Sequence, residues 1–144
     1  MASVYGVNQV LLNGGYQVKA SELGGEVKMA YDKYTFTANA FAQNDLIELA
    51  LWIPQRAMIV GAFVKAPSLG TTGIFHLGTA ADPDALVIAD AGGAAVLAKE
   101  TAASADFLKI ISSADKQQYI LKCTEATDAA NGLVIEAGIF YKMI

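Results

Sequence analysis

Side-chain catalysis needs a nucleophile, a base or a bound metal, and this chain offers little of any. It has one histidine, His76, and one cysteine, Cys123. Brought together, they could form a thiol–imidazole pair in which the ring removes the thiol proton. His76 sits in Ile74-Phe75-His76-Leu77, so a strand residue at a surface or interface is the simpler reading. Cys123 reads as a small buried hydrophobe. A zinc site takes three or four protein ligands, and one imidazole with one thiol falls short. A calcium site takes spaced acids in a loop. Asp82, Asp84 and Asp90 come nearest, but helix capping accounts for Asp82 and Asp84 more simply. The nucleophile-elbow, P-loop and dinucleotide-binding patterns do not occur. Gly70-Thr71-Thr72-Gly73 is a turn, because no lysine and no helix follow it. Trp52, just before Pro54, could stack on a sugar, but a strand-end tryptophan more often packs on a core or an interface. The expectation is a non-enzyme with no catalytic residue, no metal and no cofactor.

The elements that would carry these residues read as strands. Tyr34-Thr35-Phe36-Thr37 alternates β-branched and aromatic types. After the turn at Asn44-Asp45 comes Leu46 to Ile53, stopped by Pro54. Arg56 to Ala66 follows, stopped by Pro67, then Gly73 to Thr79, Phe107 to Ser112, Gln117 to Thr124 and Leu133 to Met143. Seven or eight short strands separated by turn signals indicate a sandwich or barrel. Asp82-Pro83-Asp84 has a cap residue, a proline at the first helical position and an acid in the first turn. Ala85 to Ala91 and the stop Gly92-Gly93 then predict one short helix over 83–91. Residues 94–106 are alanine-rich and ambiguous.

Residues 1–25 differ from the rest. Glycines pair at Gly14-Gly15 and Gly24-Gly25, and no period of 2 or 3.6 is sustained. Yet Val4, Tyr5, Val7, Val10, Leu11, Leu12, Tyr16 and Val18 are types that disordered tails lack. We read an arm, on the order of 80 Å long if extended, that docks on another protein chain through these eight residues. The chain thus divides into an arm, 1–25, and an all-β domain, 26–144, read as a jelly-roll-like antiparallel β-sandwich with one short helix.

Composition narrows the partners. Net charge is −4 and the isoelectric point about 4.8. The ten Lys and Arg residues are scattered, which argues against nucleic acid. The longest apolar run, Ala57 to Val64, is far short of the roughly 18 residues of a membrane span, and the start has no basic region before an apolar one, so no secretory signal is expected. Hydrophobic residues are 54% and charged residues 17%, with a mean hydropathy of +0.38. That much apolar surface favours a protein that assembles. The strands agree: in Leu133–Tyr141 and Met58–Val64 both faces are largely apolar, where a monomeric antiparallel sandwich would alternate cleanly.

One resemblance runs through the domain. Tyr34-Thr35-Phe36-Thr37-Ala38, Asn44-Asp45-Leu46-Ile47-Glu48-Leu49 and the stretch Gly61 to Gly73 resemble small structural proteins of tailed bacteriophages. Ala89-Asp90-Ala91-Gly92-Gly93 and the ending Gly132 to Tyr141 do so too. The likeness covers nearly all of the chain after the arm and rests on turns and strand ends. It implies a virion component, a cement or decoration subunit on the capsid surface. It further implies a homotrimer that binds the major capsid protein, with no nucleic acid, membrane or small-molecule substrate. The alternative is a tail or head-fibre component, or a glycan-binding adhesin of the virion.

Overall fold

The computed structural model describes residues 26–37, 41–101, 103–112, 116–128 and 131–144. The eight arm residues named above lie outside them. Eight strands follow in order: β1 (Val27–Thr35), β2 (Leu46–Ile53), β3 (Ala57–Ala66), β4 (Ile74–Gly78), β5 (Val87–Asp90), β6 (Val96–Lys99), β7 (Gln117–Glu125) and β8 (Val134–Met143). They form two four-stranded antiparallel sheets, ordered β1-β8-β3-β6 and β2-β7-β4-β5. Apart from the β4–β5 hairpin, successive strands alternate between sheets in the jelly-roll pattern.

Alternation builds the core. In β2, Ile47, Leu49, Leu51 and Ile53 are buried while Leu46, Glu48, Ala50 and Trp52 are exposed. Their inward side chains meet Ile59, Val64, Ile135 and Ile139 of the other sheet and Phe75, Leu77, Tyr119 and Leu121 of their own. Phe36, Phe41 and Phe75 close one end, with ring centroids 5.3 to 6.1 Å apart in tilted and edge-on pairs.

The sheet edges are covered, which protects against edge-to-edge pairing. β1 lies along β2, and β5 along β6. Asp32 Oδ2 accepts from the Ala50 amide at 2.9 Å across the first seam, where β2 bulges. Beyond β6, the free half of β3 takes residues 108–111. The Leu108 and Ile111 amides donate to Ile59 and Ala57, and Arg56 donates back to Ile111. Between these two partners, Glu100 Oε2 accepts from the Ala62 amide at 2.9 Å.

Two expectations need correction. The helix over 83–91 is absent; no helix occurs among the described residues. Asp82-Pro83-Asp84-Ala85 is instead a turn closed by the Ala85 amide on the Asp82 carbonyl, the other use of Asp before Pro. Val87–Asp90 then pairs with β4 as β5. Nine residues give a helix too little length for its nucleation cost, whereas Val87 and Ala89 turned inward and Ile88 and Asp90 outward match a sheet. Phe107 to Ser112 is likewise no full strand. It makes one bridge, Ile110 to Met58, because residues 104–108 turn and Leu108 takes a left-handed φ of 62°.

Candidate functional site

The residues with chemical potential do not converge. Phe75 pairs with Cys123 and His76 with Lys122 on adjacent strands β4 and β7. Neighbours along a strand point to opposite faces. Cys123 therefore enters the core and is fully buried, while His76 turns outward. Burial pushes the Cys123 thiol up to about 11, aided by the Asp45 carboxylate. Burial also holds the His76 imidazole below its ordinary value, against the pull of Asp84. The thiol is inert and faces away from its only potential base.

The acids have structural partners. Asp90 Oδ1 accepts from the Gly92 amide at 3.0 Å. The Asp82 carboxyl is held above its ordinary range, first by a hydrogen bond with Asp84. Among the described residues no group of three His, Cys, Asp or Glu side chains could hold a metal. Trp52 is exposed on the second sheet, and the Lys116 ammonium stands 4.8 Å from its ring centroid. That cation lies over one face of the ring, as in a cation–π contact.

One polar pair was not legible in the sequence. Asp106 is a buried carboxylate that accepts from the Tyr119 hydroxyl at 2.8 Å and from Lys109 Nζ at 3.2 Å. It ties the loop before β7 to the core. Thirteen residues separate the partners, so no local pattern announces them.

The unusual surface is the outer face of the first sheet. The strands read as apolar on both sides, Met58–Val64 and Leu133–Tyr141, are its two central strands, β3 and β8. Register puts Met29 beside Phe140 and Gly61, and Tyr31 beside Gly138 and Phe63. Phe63 and Phe140 pack with ring centroids 6.0 Å apart. Val27, Met29 and Leu97 are each more than half exposed, at 51, 51 and 59%. A trough of about 570 Å³ crosses all four strands from Val27 past Phe140 and Phe63 to Leu97. A second, of about 510 Å³, continues from Leu97 along β3 and β6 to Pro67. Lys33, Lys65, Lys99 and Lys142 share this face with Glu136. The Glu136 carboxylate takes the Tyr31 hydroxyl at 2.5 Å. The outer face is therefore apolar with a basic rim, on a chain whose net charge is −4. The second sheet's outer face mixes Glu48, His76, Asp90 and Lys122 with isolated Leu46, Trp52 and Ile88.

The fold has solved counterparts. A chain in the capsid of Ralstonia phage GP4 matches with a TM-score of 0.66 and 26% sequence identity, over 83% of this chain and 86% of that one. A chain of the cyanophage Pam1 capsid asymmetric unit matches with a TM-score of 0.64 over 82% of this chain and 85% of that one. At 14% identity the second is a likeness of fold alone. No protein-family model matches the chain, and no curated protein matches it in sequence. The resemblance to phage structural proteins drawn from turns and strand ends thus agrees with solved phage capsid chains of the same architecture.

Proposed function

We propose that this chain is a virion structural protein of a tailed phage, a cement or decoration subunit that binds the major capsid protein lattice and stabilises the head. The fold held in common with two phage capsid chains is the starting point. The observation that carries the reading is the outer face of the first sheet: contiguous apolar surface, basic at its rim, in a chain whose imidazole and thiol face apart. Such a face acts by being covered.

The mechanics need no catalysis. DNA packed inside a shell pushes its capsomers apart. A subunit that bridges capsomers resists by burying apolar area, at about 25 cal/mol per Å². One contact of this size is weak. A trimer with three arms forms its second and third contacts at high effective concentration, so attachment outlasts the loss of any one of them. The Lys33, Lys65, Lys99 and Lys142 rim orients the approach toward acidic surface.

Counting the chain by mass spectrometry in purified particles tests this directly. Hundreds of copies per particle fit a shell protein. A handful would favour the tail or fibre role and overturn the proposal. Rebinding of purified protein to particles stripped of it, followed by thermal release of DNA, measures the stabilising effect.

A further inference from the structure

We infer that the part of the trough above Gly61 is an anchor pocket for one aromatic side chain of the lattice protein, a Tyr or Trp flanked in its own chain by carboxylates. The inference rests on the cement reading and adds to it the chemistry of the partner.

Three observations converge. The first is a hole. β3 bulges between Ile59 and Gly61, and Gly61 has no side chain to fill the outer face there. A Cβ at 61 would stand 3.4 Å from the Phe140 ring and 3.6 Å from Glu100 Oε1, in ordinary contact. Beyond that point the trough is open, with Phe63, Phe140, Val27 and Leu97 along its sides. Rings and aliphatic groups in that arrangement suit another ring. The second observation is a polar group in this apolar wall. Glu100 Oε2 takes the Ala62 amide at 2.9 Å, which fixes the carboxylate and turns Oε1 toward the hollow. A side chain that is apolar in body and donates at its tip meets both parts: Tyr through its hydroxyl, Trp through its indole N–H. Leu or Phe would cover the carboxylate and give it no donor, which is costly. The third is charge. Lys99 lies across from Phe63 and Lys65 across from Leu97. Carboxylates on either side of the anchor residue complement these two ammonium groups. A second copy of the same face would bring lysine against lysine.

Filling the hole tests the pocket without removing a contact. Gly61 is not among the glycines of positive φ, so Gly61→Leu suits the backbone. It should melt like the native chain yet bind stripped particles on the order of thirtyfold more weakly, as for a lost anchor. Leu97→Asp, at an exposed position on the pocket wall, should do the same, and it decides the matter if Gly61→Leu misfolds. Ile88→Asp, equally exposed on the other sheet, should bind as the native chain does. A cross-link then identifies the occupant. Lys99→Cys, labelled with a benzophenone maleimide while native Cys123 stays buried, is bound to stripped particles and irradiated. The linked capsid-protein peptide should contain a Tyr or Trp with Asp or Glu close on either side. Native-strength binding by both pocket variants would overturn the inference and leave the cement reading standing. So would a linked peptide lacking the aromatic residue or its acids, or a link to another copy of this chain. Failure of the native chain to rebind would overturn both.

Discussion

The ring of Phe63 on β3 lies over Gly138 on β8, in the space that a side chain at 138 would fill. The pair lets an aromatic residue lie flat on an outer sheet face and continue toward Phe140. Gly78 is a similar close approach with different neighbours: there the carbonyls of Asp82 and Pro83 fill the space. A ring edge on a half-exposed face can swing away, but backbone in a closed turn cannot. Gly138→Ala should therefore cost about 1 kcal/mol and Gly78→Ala about 3 kcal/mol. Urea unfolding of the two variants side by side checks the order. Equal losses would mean that Phe63 is held as rigidly as the turn.

That contrast shows what was legible in the sequence. Leu46–Ile53 is predicted to the residue as β2, because the turn at Asn44-Asp45 and Pro54 bound it. β3, β7 and β8 follow to within one residue for similar reasons. The errors fall at β1, which runs Val27–Thr35 rather than Tyr34–Thr37, and where strands are four residues long. β5 and β6, at Val87–Asp90 and Val96–Lys99, are too short to set a period, and their alanines favour helix. Pairing with β4 and β3 decides them, and pairing is not local. The two-sided apolar character of β3 and β8 was legible. That they are neighbours, and so make one continuous face, came only from topology.

Alkaline pH should destabilise the fold in two steps. The folded Cys123 thiol is raised from 9.0 to about 11, chiefly by burial. The Tyr119 hydroxyl is also raised above 10.0, by burial first and then by its hydrogen bond to Asp106. The unfolded chain releases both protons earlier, so the folded state binds more protons. This stability is complete below pH 9 and falls as pH rises, by at most about 1.4 kcal/mol per unit per group. Cys123 acts alone between pH 9 and 10, and Tyr119 joins above. In Cys123→Ala the decline should begin near pH 10, as read from denaturant midpoints across pH.

Charge reversal on the rim should separate attachment from folding. Lys65 and Lys99 are exposed on the outer face of the first sheet, and surface substitutions away from special features shift stability by about 0.5 kcal/mol or less. Lys65→Glu and Lys99→Glu should melt like the native chain yet bind stripped particles on the order of tenfold more weakly, with the gap narrowing as salt rises. Lys122→Glu, on the second sheet, is the control. Equal loss from all three would mean that net charge matters and the face does not.

The arm gives the last prediction. Val4, Tyr5, Val7, Val10, Leu11 and Leu12 fall within residues 1–13, and Tyr16 and Val18 beyond Gly14-Gly15. Burying one Leu or Val is worth at most about 1.5–3 kcal/mol, and ordering the backbone costs roughly 1–2 kcal/mol per residue. A single arm therefore gains little on binding, and three arms on one trimer gain through effective concentration. A chain beginning at Gly14 should melt as the native chain does, because it keeps the whole β-sandwich domain. It should bind stripped particles poorly, because it lacks the six residues that reach the lattice. A chain beginning at Glu26 should bind no better, and it should melt as the native chain does. Calorimetry of the free proteins and a particle-binding assay measure the two effects separately. If the shorter chain decorates as well as the full one, the arm takes no part in attachment and the sheet face carries it alone. If it fails to fold, residues 1–25 belong to the core and the boundary at residue 26 is misplaced.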